Sequence, residues 1–125
     1  MTDRNICIIP ARGGSKRLPK KNIINFKGYP IISYTINSAL ESYLFERVVV
    51  STEDEEIADI AVKYGADIDI RDKELASDSA KVVDVCLDFL KREKRAGNSY
   101  DILCCLYATA PLRNSDDIKR TIELV

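Results

Sequence analysis

Short apolar runs alternate with amphipathic segments along the chain, and this alternation restricts the possible folds more than any other feature. Asn5–Ile9, Arg47–Ser51 and Asp101–Tyr107 each have the length and composition of a buried strand, and Ala66–Ile70 is predicted as a short further strand. Strands that alternate with helices predict a mainly parallel sheet with helices on both faces. The sequence therefore predicts an α/β fold, a Rossmann-like three-layer sandwich.

The helices are predicted from apolar residues at helical spacing and from start and stop signals. Pro30 is expected at the first helical position, and Thr52 with Glu55 has the spacing of a capping box. Gly65 and Gly97 are expected to end the second and third helices. The predicted buried faces contain Ile32, Ile36, Ala39 and Tyr43, then Ile57, Ile60, Ala61 and Tyr64, then Val82, Val85, Cys86 and Phe89.

The length of 125 residues fits one domain, and the 46% hydrophobic content is typical of a globular protein. A further helix is predicted over Asp116–Val125, and its apolar pattern has no stop signal at Val125. We therefore expect residues 1–125 to be the N-terminal part of a longer domain. Asp116 and Asp117 lie at the predicted helix start, where negative charge suits the helix dipole, and are interpreted as capping residues.

The four cysteines do not have the pattern of a metal site, because none lies in a C-x-x-C pair and the chain has no histidine. Cys104 and Cys105 are adjacent in a predicted strand and should point to opposite faces, which disfavours a disulfide between them. Free thiols are typical of a cytoplasmic protein. No apolar run is long enough to cross a bilayer, so no membrane partner is expected.

Basic residues are concentrated near the N-terminus. The segment Arg4–Leu40 contains seven of the 19 basic residues and none of the 20 acidic ones, so the rest of the chain carries a net charge of −8. Three predicted loops follow strands: Pro10–Asn22, Arg71–Asp78 and Ala108–Ser115. In a parallel sheet such loops lie at one rim, where ligands bind. An anionic ligand at this rim is one interpretation, and a solvated basic face is the other.

The loop after the first strand contains the groups that a triphosphate needs. Gly13 and Gly14 allow backbone amides to approach a ligand closely, Arg12 can donate two hydrogen bonds to phosphate, and Lys21 supplies a mobile charge. The spacing fits neither a Walker A loop nor a dinucleotide-binding loop. The alternative is a charged surface loop whose glycines only form a turn. Nucleic-acid binding is disfavoured, because no aromatic side chain is interleaved with the basic residues to stack bases.

The run I-P-A-R-G-G-S-K-R-L-P-K-K-N-I at positions 9–23 resembles the signature of the acylneuraminate cytidylyltransferases, the CMP-sialic acid synthetases and their pseudaminic and legionaminic acid relatives. The similarity continues in order to Arg113. The resemblance implies a nucleotidyltransferase domain that joins CTP to a nine-carbon 2-keto sugar acid and releases pyrophosphate. It also implies a requirement for Mg²⁺, with ligands beyond residue 125, and a homodimer for the full-length protein.

The resemblance also implies roles for individual residues. Arg12 and Lys21 match the family's triphosphate-binding, catalytic positions; Ala11, Gly13, Gly14 and Ser15 match its backbone cradle; Asn22, Arg71 and Ala80 match nucleotide-binding positions; and Tyr107 and Thr109 match substrate-binding positions. For Arg71 the alternative interpretation is a surface ion pair with Asp69 or Asp72.

The segment Tyr107–Arg113 reads Y-A-T-A-P-L-R, which is similar to the pseudaminic acid branch, whereas sialic acid enzymes tend to have Q-P-T-S-P-L-R. A pseudaminic or legionaminic type of acid is therefore favoured over N-acetylneuraminate. A second hypothesis remains open, in which the chain is a truncated module that binds nucleotide without turnover.

Overall fold

The computed structural model describes residues 4–11, 25–70 and 82–106. Within these ranges the elements follow one another in an order close to that predicted from the sequence. They are β1 Asn5–Pro10, β2 Asn25–Phe26, β3 Tyr29–Pro30, α1 Ile31–Ser42, β4 Arg47–Thr52, α2 Glu55–Lys63, β5 Asp67–Ile70, α3 Val82–Arg95 and β6 Ile102–Cys105.

Four of the strands form one parallel sheet in the order β5-β4-β1-β6. The central strand β1 pairs with β4 from Ile6 opposite Arg47 to Pro10 opposite Ser51. Strand β6 lies on its other side. The predicted parallel sheet and α/β fold are confirmed. The predicted helix over Asp116–Val125 lies outside the described residues.

Helices cover both faces of this sheet. Successive side chains of a strand point to opposite faces, so each strand contributes to both cores. Cys7 and Ile9 of β1 pack with α1 and α2 on one face, while Ile6 and Ile8 pack with α3 on the other. All four side chains are fully buried. Burial on both sides explains why β1 is a continuous apolar run instead of an alternating one.

A small hairpin of β2 and β3 was not predicted. Lys27 and Gly28 form its turn with positive φ angles of 52° and 94°, and the side chain of Asn25 accepts a hydrogen bond from the Gly28 amide at 2.9 Å. Two positive φ angles in a two-residue loop are typical of a tight hairpin turn. Strands of two residues are too short to produce a periodic pattern, so the sequence did not reveal them.

The predicted start and end of α1 were each wrong by a small margin. Pro30 is the N-cap with an extended ψ of 137°, so the helix begins one residue later, at Ile31. Tyr43 is the C-cap in the left-handed conformation, and 89% of its surface is exposed. The chain turns away at this residue, which removes Tyr43 from the apolar face that Ile32, Ile36 and Ala39 form.

The predicted capping box of α2 was also wrong. Asp54 is the N-cap, and its carboxylate accepts a hydrogen bond from the Ile57 amide at 3.0 Å. Thr52 is the last residue of β4, and its hydroxyl accepts from the Asp54 amide at 3.1 Å. Two competent capping residues lie close together, and the one nearer the helix occupies the cap. Gly65 follows the helix with a positive φ of 100°, as predicted.

None of the four cysteines forms a disulfide bond, and the adjacent pair divides between the two faces as predicted. Cys104 packs in the core under α1 and α2, and Cys105 in the core under α3. A hydrogen bond with Cys86 and burial raise the pKa of the Cys105 thiol. Within the described part of the chain, no helix has the length and hydrophobicity that a membrane span requires.

Candidate functional site

The carboxyl end of β1 fixes where the glycine-rich segment begins. The amide of Ala11 donates a hydrogen bond to the carbonyl oxygen of Ser51 at 2.9 Å, which extends the pairing of β1 and β4 by one residue. The Ala11 side chain is fully buried against the core. The chain therefore leaves the sheet at its centre, at the rim where parallel sheets bind ligands.

The end of β4 forms the next part of this rim. Ser51 and Thr52 are both fully buried, and Asp54 begins α2 two residues later. The N-terminus of α2 thus lies at the same edge, and the Asp54 carboxylate caps it. Hydrogen bonds within the chain therefore determine the backbone path at this end of β4.

An ion pair fastens the end of β5 to α3. Arg92 donates to both carboxylate oxygens of Asp69, with Nη1–Oδ1 at 2.6 Å and Nη2–Oδ2 at 3.0 Å. Its Nε donates to Asp88 at 2.8 Å, and the hydroxyl of Ser51 donates to Asp69 Oδ2 at 3.1 Å. The hydrogen bonds to Asp69 outweigh the effect of burial and raise the pKa of Arg92. The guanidinium of Arg92 therefore stays charged.

Sequence reasoning missed this group. The alternative for Arg71, an ion pair with Asp69 or Asp72, lies outside the described residues, and Asp69 itself pairs with Arg92. The available signal was the D-I-D-I pattern of β5, which places two aspartates on one face of a short strand. Acidic residues on the inward face of a strand require partners on the packed helix, and α3 contains the arginine.

Ala11 is the predicted site residue that falls within the described part of the chain. The others lie outside it: Arg12, Gly13, Gly14, Ser15, Lys21, Asn22, Arg71, Ala80, Tyr107 and Thr109. Their roles stay predictions. The strands that precede their segments in the sequence are β1, β5 and β6, which belong to one parallel sheet. Strands β1 and β6 are direct neighbours, and β4 lies between β1 and β5.

A metal site was not predicted within this chain. Among residues 4–11, 25–70 and 82–106, no three cysteine, aspartate or glutamate side chains come together in a group that could hold a metal ion. The ligands of the Mg²⁺ that the resemblance implies are expected beyond residue 125, and no chemical step is assigned to a metal held by the described residues.

Comparison with known proteins supports the family that the motifs resemble. A family model described as Cytidylyltransferase matches residues 6–125. The chain is 51% identical to a pseudaminic acid cytidylyltransferase of Campylobacter jejuni over 121 residues, which cover 96% of this chain and 52% of that protein. It is 39% identical to a CMP-N,N'-diacetyllegionaminic acid synthase of Legionella pneumophila, covering 97% and 53%.

The fold also has counterparts among solved structures. A CMP:2-keto-3-deoxy-manno-octonic acid synthetase, solved as a complex with CTP, superposes with a TM-score of 0.81 at 22% identity, covering 96% of this chain and 46% of that one. This likeness supports the fold. The chain spans about half the length of the curated relatives that it matches. Because the family model covers nearly the whole sequence, the chain belongs to the cytidylyltransferase family.

Proposed function

We propose that the protein transfers CMP from CTP to a nine-carbon 2-keto sugar acid and releases pyrophosphate. Residues 1–125 would form the N-terminal, nucleotide-binding part of the catalytic domain. The observation that carries this proposal is the hydrogen bond of Ala11 to Ser51, because it fixes the residue that precedes the glycine-rich basic segment at the carboxyl rim of the sheet. Membership of the cytidylyltransferase family supports the same assignment.

Stabilisation of charge on the phosphates is the main task proposed for this part of the protein. The anomeric hydroxyl oxygen of the sugar attacks the α-phosphorus of CTP and its proton passes to solvent. The bond from the α-phosphorus to the oxygen that bridges it to the β-phosphate breaks, and that oxygen leaves with the pyrophosphate. Arg12 and Lys21 are proposed to hold the phosphates and the departing pyrophosphate, with amides of Gly13, Gly14 and Ser15 around them. Mg²⁺ would add charge neutralisation, and its ligands are proposed to lie beyond residue 125.

The proposed specificity groups belong to the sequence segments that follow β1, β5 and β6. Asn22, Arg71 and Ala80 are proposed to contact the nucleotide, with Arg71 beside the cytosine ring. Tyr107 and Thr109 are proposed to contact the sugar acid. The 51% identity with a pseudaminic acid cytidylyltransferase and the Y-A-T-A-P segment favour an acid of the pseudaminic type.

Pyrophosphate release tests this proposal directly. The full-length protein is incubated with CTP, Mg²⁺ and, in separate reactions, pseudaminic, legionaminic and N-acetylneuraminic acid. We expect pyrophosphate in step with CMP-sugar, fastest with pseudaminic acid, and none when the sugar acid is omitted. Absence of product with all three acids would contradict the proposed reaction, and a preference for N-acetylneuraminic acid would contradict the proposed substrate.

A second candidate is a nucleotide-binding module without turnover, because the chain spans only about half the length of its relatives. Calorimetric titration of the 125-residue chain with CTP separates the candidates. Binding of CTP without pyrophosphate release from CTP and sugar acid supports the module for this piece of the protein. Turnover by the same chain excludes it.

A homodimer is proposed for the full-length protein and is tested by its mass in light scattering.

A further inference from the structure

A concave surface lies at the amino end of the sheet, opposite the rim. The last turn of α1, the turn that follows it and the first residues of β4 form this surface, which is lined by residues between Ala39 and Val48 and has a volume of about 440 Å³. Tyr43 and Leu40 line it and expose 89% and 38% of their surface. Tyrosine is enriched at protein–protein contacts. This surface, the amino-end cleft, can therefore accept side chains of another molecule.

The amino-end cleft favours a positively charged group. Glu41 lines it, is exposed and lies in the last turn of α1, which contains no basic residue. The carboxyl end of a helix carries a partial negative charge, so an acidic residue there is unfavourable unless a cation lies close to it. Two other charged residues of the cleft, Glu46 and Arg47, already form ion pairs within the chain. Glu41 and the end of α1 therefore attract a cation from outside the cleft.

The end of α3 has the opposite charge. Its last turn contains Arg92, Lys94 and Arg95, of which Lys94 and Arg95 are exposed. This helix end lies close to the cleft, because Glu93 contacts Arg47, a residue that lines the cleft. The amino end of the molecule thus carries an acidic cleft and a basic helix end side by side.

A surface with these two features is complementary to itself. A two-fold axis places each feature of one copy opposite the other feature of the second copy, so that both contacts form twice. A nucleic acid or an acidic peptide would match the end of α3 but would be repelled by Glu41, and a basic peptide would match only the cleft. A second copy of the chain is the partner that satisfies both charges.

We propose that two copies of this chain associate through their amino ends, with Lys94 and Arg95 of one copy against Glu41 in the amino-end cleft of the other. Tyr43 and Leu40 supply the apolar part of the contact. This arrangement leaves the carboxyl rims of both copies free. The inference is independent of the proposed reaction, because none of these residues is proposed to bind CTP or a sugar acid.

Crosslinking of the full-length protein tests the contact directly. Unlabelled and ¹⁵N-labelled protein are mixed and treated with a carbodiimide, which joins a carboxylate to an ammonium group as an amide. We expect mass spectrometry to find Glu41 joined to Lys94 in peptides of mixed label, which arise only from links between two copies. A protein that stays monomeric would overturn the proposal. So would a stable dimer without this link, because its copies would associate through another surface.

Charge reversal tests whether the acidic and basic groups meet. Glu41→Lys alone, and Lys94→Glu together with Arg95→Glu, each place like charges opposite one another, so we expect the Kd of self-association to rise at least about tenfold. The chain with all three substitutions has opposite charges again and should return to within about threefold of the wild-type Kd. Sedimentation equilibrium measures these constants. A triple variant that associates no better than Glu41→Lys would contradict the proposed pairing.

Tyr43→Ser tests the apolar part of the contact, and we expect it to raise the Kd of self-association about tenfold. Tyr29→Ser is the matched control, because Tyr29 is also exposed, at 56%, but lies before α1, at the other end of that helix. Its Kd should stay within about twofold of the wild type. Equal effects of the two substitutions, or no effect of Tyr43→Ser, would show that the amino-end cleft is not the interface.

Discussion

Two networks, each centred on one arginine, hold α3 against the edge of the sheet. They differ in which element, the helix or the strand, contributes the buried carboxylate. Toward the amino end, Arg47 of β4 contacts Asp67, which is 57% exposed, and Glu93 of the helix, which is 16% exposed. Toward the carboxyl end, Arg92 of the helix contacts Asp69 of the strand, which is 7% exposed. The buried carboxylate thus belongs to the helix in one network and to the strand in the other.

The difference shows that the cost of breaking an ion pair depends on the group that is left behind. A buried carboxylate that loses its arginine remains charged and desolvated, whereas a half-exposed arginine that loses its carboxylate is rehydrated. Loss of the arginine should therefore cost more than neutralisation of its carboxylate partner in both networks. The cost should be greatest at the carboxyl end, where the remaining acid is the most buried.

Substitution of Arg92 by Met is expected to have the largest effect on stability. Asp69 would keep the Ser51 hydroxyl as a donor but lose both bonds from the guanidinium. We expect the free energy of unfolding to fall by about 3 kcal/mol, which denaturation in urea measures. Asp69→Asn is the comparison variant and should cost about 1 kcal/mol. An equal or larger loss in Asp69→Asn would contradict the asymmetry.

Substitution of Arg47 by Met is expected to cost less, about 2 kcal/mol, because the hydroxyl of Tyr100 donates to Glu93 at 3.0 Å and would remain in place. The affinity for CTP should stay within about twofold of the wild type, since this network lies at the amino end of the sheet. Urea denaturation and calorimetry measure the two quantities. If Arg47→Met lowered the affinity for CTP as well as the stability, the network at the amino end of the sheet would affect ligand binding at the carboxyl end, which contradicts this expectation.

A third ion pair, on the surface, should make a contribution to stability that depends on pH. Arg4 donates to both carboxylate oxygens of Glu46, at 2.9 and 3.1 Å, and this hydrogen bonding lowers the pKa of Glu46 below its ordinary 4.5. Its contribution to stability is present above pH 4.5 and lost as the pH falls through the lowered pKa.

Glu46→Gln should therefore be slightly less stable than the wild type at pH 7, and the difference should shrink as the pH falls below 4.5 and through the lowered pKa of Glu46. Urea midpoints of both proteins at pH 7 and at a series of lower pH values measure this effect. A difference that persists at low pH would mean that the pair acts through packing and not through charge.

The sheet and its two covered faces could be predicted because the information is local and repeated. Three of the four strands of the large sheet contain a short apolar run, and α1, α2 and α3 each have an apolar stripe, so period and order alone indicate a layered parallel fold. Boundaries were less predictable. Asp54 displaced Thr52 as the cap of α2, and Tyr43 left the helix, because caps depend on single hydrogen bonds that compete within two or three residues.

Residue types in the segment after β1 predict a phosphate ligand without any knowledge of the fold, and this stays a prediction. The contacts that support the rim were not predicted. Arg92 lies 23 residues after Asp69 in the sequence. Whether the two side chains meet depends on the angle at which α3 crosses the sheet. Side-chain pairing between elements is set by packing angles that a single sequence does not encode in any local pattern.

The central claim is that the segment after β1 grips the phosphates of CTP at the carboxyl rim. Calorimetry of the full-length protein with CTP tests it, comparing the wild type with the double substitution Arg12→Ala and Lys21→Ala. Lys27→Asn is the control, because it removes a nearby positive charge and asparagine tolerates the left-handed φ of 52°. We predict CTP binding at least about 100-fold weaker in the double variant, from the loss of two charge-assisted contacts, and within about twofold of the wild type in the control. Unchanged CTP affinity in a folded double variant would contradict the account.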